Sequence, residues 1–226
     1  AVRCSHNTLA TYPRLSPDGS RLAYSDVVDG KRVAFLAASG AAPRPLSMEG
    51  IIVGFFSKTG DLLVDAGSQL VRLDEAGSRR GIILDKLSGF GLYDVALDPS
   101  DRWVAFTLPL PDGTAALYRA RVGDTPAAPE TWTTLAEDRN YVGSPAWSRD
   151  GKILYYASGR DGFICIWGQR FAEDGTPSGE PFAAFHNHAS PDMKFYGQSR
   201  MTAAPDRLYM MLVEFTGDLW SLQLSR

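Results

Sequence analysis

No stretch of this chain approaches the ~20 consecutive apolar residues that a membrane-crossing helix needs, so membrane insertion is not expected. Apolar residues at helical period are also missing over any comparable length, which predicts almost no α-helix. Cysteine is scarce: Cys4 and Cys165 are the two in 226 residues, too few for a disulfide framework, and both are expected to be unpaired. There is no excess of basic charge. Lys and Arg number 23 against 26 Asp and Glu, a formal net charge of −3, whereas a nucleic-acid surface needs a concentrated basic face. The chain begins at Ala1 without a methionine or an apolar leader, and the expectation is either a removed targeting segment or a piece of a longer protein.

What the chain does have is punctuation. Its 22 glycines and 14 prolines recur in one kind of turn. That turn reads Ser16-Pro17-Asp18-Gly19, Ser57-Lys58-Thr59-Gly60, Asp98-Pro99-Ser100-Asp101, Ser148-Arg149-Asp150-Gly151 and, degraded, Ala204-Pro205-Asp206. The starting residues lie 41, 41, 50 and 56 apart. An apolar strand follows each turn: Arg21–Ser25, Asp61–Asp65, Arg102–Thr107, Lys152–Ala157 and Arg207–Val213. After a second turn comes a strand with an aromatic or branched residue at one matching place, held by Phe35, Val71, Tyr118, Trp167 and Trp220. One small sheet cannot bury its own faces, and repeats of this length with four strands each are the signature of propeller blades.

The predicted fold is therefore all-β, a single β-propeller of five four-stranded blades, or part of a six- or seven-bladed ring. The repeats run approximately 12–48, 49–87, 88–138, 139–188 and 189–226. Residues 1–11 either close the ring, with Val2–Ser5 as the missing strand of the last blade, or are the remnant of an earlier one. Pro43 and Pro45 suit an outer edge strand. Two insertions in the third repeat, 109–113 and 123–130, read as surface loops. Tyr24, Phe35, Phe106, Tyr118, Tyr156, Trp167 and Trp220 recur at fixed places, so they are expected to pack between neighbouring blades.

The run Ser16-Pro17-Asp18-Gly19-Ser20-Arg21-Leu22-Ala23-Tyr24-Ser25 resembles the TolB-type, WD-repeat-like propeller repeat. Ser148 to Trp167 matches the same pattern, and Thr216-Gly217-Asp218-Leu219-Trp220 is similar to the last blade of propellers appended to bacterial signalling proteins. The resemblance implies a binding scaffold, joined in such proteins to an upstream kinase or winged-helix domain, or existing as a free periplasmic protein. A periplasmic or extracytoplasmic location is the expectation, with a cytoplasmic one as the alternative. TolB itself has six blades, against the five repeats counted here.

Signatures of catalysis and of cofactor binding are absent from the sequence. It contains no Gly-x-Ser-x-Gly elbow, phosphate loop, His-Glu-x-x-His helix or kinase motif. His6, His186 and His188 are the conventional general bases by type. The spacing of His186 and His188 would put both imidazoles on one face of a strand, as a metal pair requires. No cysteine lies near them in sequence and Asp192 is the one nearby acid, so they are read as surface-loop histidines and no metal is expected. Asp18, Asp150 and Asp206 are expected to bond within their own turns. An enzyme of a propeller family, a glycosidase or lactonase, would need several carboxylates or metal ligands on the inner strands, where Asp94 and Arg200 are the charges on offer. A prolyl-oligopeptidase-like enzyme would need a hydrolase domain that this chain does not contain.

The expectation is a non-catalytic module that binds a protein, peptide, glycan or other ligand, as the sensor or interaction domain of a larger bacterial protein, with a propeller hydrolase as the alternative. Connections from second to third strand and between successive repeats emerge on one face of a propeller. Here these are 26–31, 109–114, 158–163, 135–141 and 185–196. The candidate recognition residues are Asp138, Asn140, Tyr141, Arg160, Asp161, His186, His188 and Tyr196, since tyrosine and arginine beside polar groups anchor interfaces.

Overall fold

The computed structural model describes residues 11–38, 40–85, 94–186, 188, 193–194, 201–204, 206–210 and 213–214. Four antiparallel sheets of four strands follow one another along the chain. The first holds β1 (Thr11–Leu15), β2 (Arg21–Val28), β3 (Lys31–Ala38) and β4 (Arg44–Glu49). β5 (Ile51–Phe55), β6 (Leu62–Asp65), β7 (Leu70–Leu73) and β8 (Arg79–Leu84) make the second. The third has β9 (Val95–Leu97), β10 (Trp103–Pro109), β11 (Ala115–Arg121) and β12 (Thr133–Asp138). The fourth has β13 (Val142–Trp147), β14 (Ile153–Ser158), β15 (Cys165–Phe171) and β16 (Pro177–Phe185). Beyond it, β17 (Met193–Lys194) pairs with β20 (Val213–Glu214), and β18 (Met201–Ala203) with β19 (Leu208–Met210). Among the described residues the helical content is one 3₁₀ turn, Pro129–Thr131. The expected strand at Val2–Ser5, Cys4, and the last repeat's Trp220 lie outside the described residues.

Each sheet is a meander, with strands hydrogen-bonded in chain order, and the repeating turn explains why. Its fourth residue takes a left-handed backbone: φ is 71° at Gly19, 69° at Gly60, 62° at Asp101 and 70° at Gly151. Glycine adopts this without a Cβ clash. Asp101 is the departure from the pattern, and its carboxylate accepts the backbone N–H groups of Ser57 (2.7 Å) and Lys58 (2.8 Å) in the preceding blade. The side chain that makes the turn less comfortable thus locks two blades together.

The first strands stand side by side, β1 next to β5, β5 next to β9, β9 next to β13 and β13 next to β18. They line a common cavity of about 850 Å³, bordered by Leu15, Phe55, Ala96, Pro145, Trp147 and Thr202 among others. This is the central channel of a propeller, and β18 marks the innermost strand of a further blade. Between blades lies the core. Between the first and second it is aliphatic, with Leu36, Leu46, Ile52, Leu62, Val64 and Leu73 all buried. Phe106 packs among Val53, Leu63, Leu70 and Ile83 of the second blade, and Tyr156 among Ala105 and Leu117 of the third.

Phe106 and Tyr156 therefore do join blades, with Tyr118 and Trp167 packed against the same clusters, and the repeated aromatics also pair across strands. Tyr24 stacks on Phe35 with ring centroids 5.4 Å apart, and Phe106 on Tyr118 at 5.7 Å. Tyr24, Phe106 and Tyr156 on second strands are buried, whereas Phe35, Tyr118 and Trp167 on third strands are half-buried. The 123–130 insertion is more than a surface loop. Its Ala127 N–H donates to Ile83 O of the second blade (3.0 Å), and Trp132 just beyond meets Phe106 edge-on at 4.9 Å.

Candidate functional site

At one end of the blades are the repeating turns, whose polar groups satisfy one another. Asp18 accepts Ser16 Oγ (2.5 Å), Ser20 Oγ (2.7 Å) and Ser20 N (3.1 Å). Asp150 accepts Ser148 Oγ (2.6 Å) and Lys152 N (3.1 Å). These bonds, from Ser16 first for Asp18 and Ser148 first for Asp150, hold both carboxyls below the usual carboxylate range. The predicted local role is what is observed. At Asp206 the partner is instead its neighbour Arg207 (2.6 Å).

The opposite end carries the predicted recognition residues, seven of which are described; Tyr196 lies outside the described residues. Asp138, at the end of β12, is buried and accepts Ser158 Oγ (2.8 Å) and Asn140 N (2.8 Å). Asn140 Nδ2 donates to Gly159 O (3.3 Å), so the connection between the third and fourth blades is bound to the β14–β15 turn. Tyr141 OH lies 3.1 Å from Ser144 Oγ. A bulge in β13 between Gly143 and Ala146 turns the Ser144 N–H onto Asp94 Oδ2 (2.9 Å). A Cβ at Gly143 would meet Asp94 Oδ2 at 2.7 Å and Tyr141 OH at 2.9 Å, so only glycine permits this approach. Between these groups and the β10–β11 turn is a cavity of about 300 Å³, lined by Asp94, Pro109, Thr114, Asp138, Tyr141 and Val142. Asp94 borders this cavity and the central channel alike.

Arg160 is more committed than its type suggests. Its Nη2 donates to Tyr156 OH (2.7 Å), its Nε to Ser158 Oγ (3.2 Å), and its guanidinium lies 4.6 Å from the Trp167 ring centroid. Burial pushes the Tyr156 hydroxyl above its ordinary pKa, with Arg160 pulling the other way. The 26–31 connection offers less than expected. β2 and β3 run on to a two-residue turn at Asp29-Gly30, with φ of 49° and 77°, the Asp-Gly hairpin geometry that matches strand twist. Likewise β12 extends to Asp138, which shortens the expected 135–141 loop to three residues, Arg139 to Tyr141.

The histidines have company that their sequence neighbourhood does not show. Ile166 is paired with Phe185 across β15 and β16, so Cys165, one step before, comes beside His186, one step after. Asp161 Oδ2 lies 3.5 Å from His186 Nδ1 and 3.1 Å from His188 Nε2. The donor atoms of Asp161, Cys165, His186 and His188 all lie within 4.8 Å of one another. Cys165 is a fully buried thiol beneath three exposed partners. Partial desolvation pushes the Asp161 carboxyl up, but bonds from Phe163 N–H, His188 and the Cys165 thiol outweigh it and hold it below its ordinary value. Phe163 lies 4.3 Å from the His188 ring and Trp167 6.2 Å from that of His186, centroid to centroid.

No family model matches the sequence, and no curated protein matches it. Solved structures do. A TolB-type protein from Agrobacterium tumefaciens superposes with a TM-score of 0.62 at 15% identity, over 91% of this chain and 70% of the other. TolB from Acinetobacter baumannii gives 0.59 at 15%, over 91% and 51%. A gluconolactonase from Xanthomonas campestris gives 0.58 at 16%, over 90% and 69%. At such identities the likeness is one of fold: this chain is a β-propeller of the kind seen in TolB.

Proposed function

We propose that this propeller is a non-catalytic recognition module that takes a protein or peptide segment on its loop end, as the sensor or interaction part of a larger bacterial protein. The observation that carries the reading is the 300 Å³ cavity between the third and fourth blades, with Tyr141 and Thr114 at its wall. A tyrosine in a concave, partly apolar site beside polar groups is the environment in which interface anchors concentrate. The walls are stiff, because Asp138, Asn140 and Tyr141 are each tied to the fourth blade. Little ordering remains for a ligand to impose, which favours affinity.

A hydrolase is the second reading, prompted by the gluconolactonase of similar shape. Glycoside hydrolysis uses two carboxylates about 5–9.5 Å apart. Among the described residues lining the channel the one carboxylate is Asp94, and it accepts the Ser144 N–H. A single engaged carboxylate does not supply the glycosidase pair, which favours binding over glycoside hydrolysis.

The test is a random-sequence peptide array probed with the full chain, run beside hydrolysis assays on gluconolactone and nitrophenyl glycosides. Expected is a consensus set of retained peptides that Tyr141→Ala loses and Asp18→Asn at the opposite end keeps. Hydrolysis of either substrate class that disappears in Asp94→Asn would replace this reading with the enzymatic one.

A further inference from the structure

Three of the predicted recognition residues, Asp161, His186 and His188, form with Cys165 a cluster that does not line the 300 Å³ cavity. We propose that Asp161, Cys165, His186 and His188 bind one divalent transition-metal ion of the zinc class. The site is independent of the recognition reading above and goes beyond it.

The donor set is one thiol, two imidazoles and one carboxylate. Zinc takes sulfur, nitrogen and oxygen in this combination, tetrahedrally, at about 2.3, 2.0–2.1 and 2.0–2.2 Å. Those lengths place neighbouring donors about 3.3–3.7 Å apart. The 4.8 Å limit observed needs a contraction of about 1 Å, within reach of side-chain rotation on exposed loops. Charge also balances: a thiolate and a carboxylate cancel the two positive charges of the ion. Calcium and magnesium seek oxygen only and do not suit nitrogen and sulfur.

The surroundings are those of a prepared site. Cys165 is held at the first position of β15, its sulfur buried under the other three donors. Aromatic rings of Phe163 and Trp167 flank the two imidazoles. The nearby cation, Arg160, is drawn aside by Tyr156 OH and Ser158 Oγ. Four protein donors complete a tetrahedral shell, which is the arrangement of structural rather than catalytic zinc. The ion would fasten the chain leaving β16 to the β14–β15 turn, clasping the loop end where the fourth blade hands over to the next.

Untagged Cys4→Ser protein, stripped with a chelator, is titrated with Co²⁺ and then Zn²⁺; removing Cys4 leaves Cys165 as the one thiol. Expected is one Co²⁺ per chain, with thiolate-to-metal absorption in the near ultraviolet and the visible bands of a tetrahedral ion, displaced by Zn²⁺. Losing even an outer partner of a metal ligand costs about 10–100-fold in affinity, so His188→Ala and Asp161→Asn should each weaken Zn²⁺ at least that much. The His188 side chain is exposed and Asp161 lies on a turn with its side chain 24% exposed, so these variants stay informative if Cys165→Ser does not fold. Absence of the thiolate band, or zinc affinity unchanged in both His188→Ala and Asp161→Asn, overturns the proposal. Binding of several weak ions that survives those substitutions overturns it equally.

Discussion

At the turn end, Asp18 and Asp150 close on atoms two residues away. At the loop end, Asp138, Asp161 and Asp94 reach groups 20, 27 and 50 residues distant. The same carboxylate is thus a component of a turn in one place and a tie between separate parts of the chain in the other. A turn that completes itself needs no neighbour and has little left to offer one. Asp138 and Asp94 tie the third blade to the fourth, so their bonds form only when those blades are assembled, and they border a cavity between them. The Asp161 contact closes within the fourth blade. Asp101 breaks the division: it sits in a turn yet reaches 43 and 44 residues back.

The comparison can be tested at several strengths. Both ends rest on the same core, which sets the upper scale. Phe106→Ala should destabilise by ~3–5 kcal/mol, the usual effect of truncating a buried large aromatic. Trp167→Ala, at a half-buried third-strand position, should lose less. Urea titrations of the two decide whether depth in the sheet or the aromatic type governs.

Next is the pair of aspartates themselves. Asp138→Ala leaves the buried Ser158 hydroxyl without its acceptor, so a loss of about 1–3 kcal/mol is expected. Asp150→Ala, on an exposed turn, should stay within about 1 kcal/mol because water replaces the lost partner. Equal shifts in denaturation midpoint would erase the distinction between the two ends.

Asp101 sharpens it further. Asp101→Ala keeps the left-handed strain and drops the bonds to Ser57 and Lys58, whereas Asp101→Gly drops the bonds but relieves the strain. The alanine variant should therefore be less stable than the glycine one by about 1 kcal/mol.

The smallest effect is one of pH. Asp150 has a folded-state pKa below its unfolded value near 3.9. Its contribution is complete above that unfolded value and is lost as pH falls through the folded one. The gap in urea midpoint between the wild type and Asp150→Asn should be wider at pH 5 than at pH 3. A gap that widens on acidification would reverse the assigned sign.

Much of the fold was legible because blades are local objects. A turn that needs a left-handed fourth residue, then an apolar strand, then an aromatic at a fixed place can be read without knowing what lies beside it. The site was legible in part for the same reason: Asp138, Asn140 and Arg160 sit at predictable strand ends. The meeting of Cys165 with His186 was not. It depends on the β15–β16 register, which slips at Ile166/Trp167 and again at Gly168/Arg170, so counting residues along the chain does not reveal it. The 26–31 connection was overestimated because strands continue for as long as a tight Asp-Gly turn lets them.

The bonds from Ser57 and Lys58 to Asp101 also make those two amides reporters of assembly. Gly60 N–H is satisfied inside its own blade, by Phe56 O at 2.8 Å. Ser57 and Lys58 gain their partner only when the third blade has docked. An intermediate with folded but separated blades would exchange hydrogen at 57 and 58 while protecting 60, and full docking would slow all three. A single aspartate in place of a glycine thus separates, along one four-residue turn, the formation of a blade from its arrival in the ring.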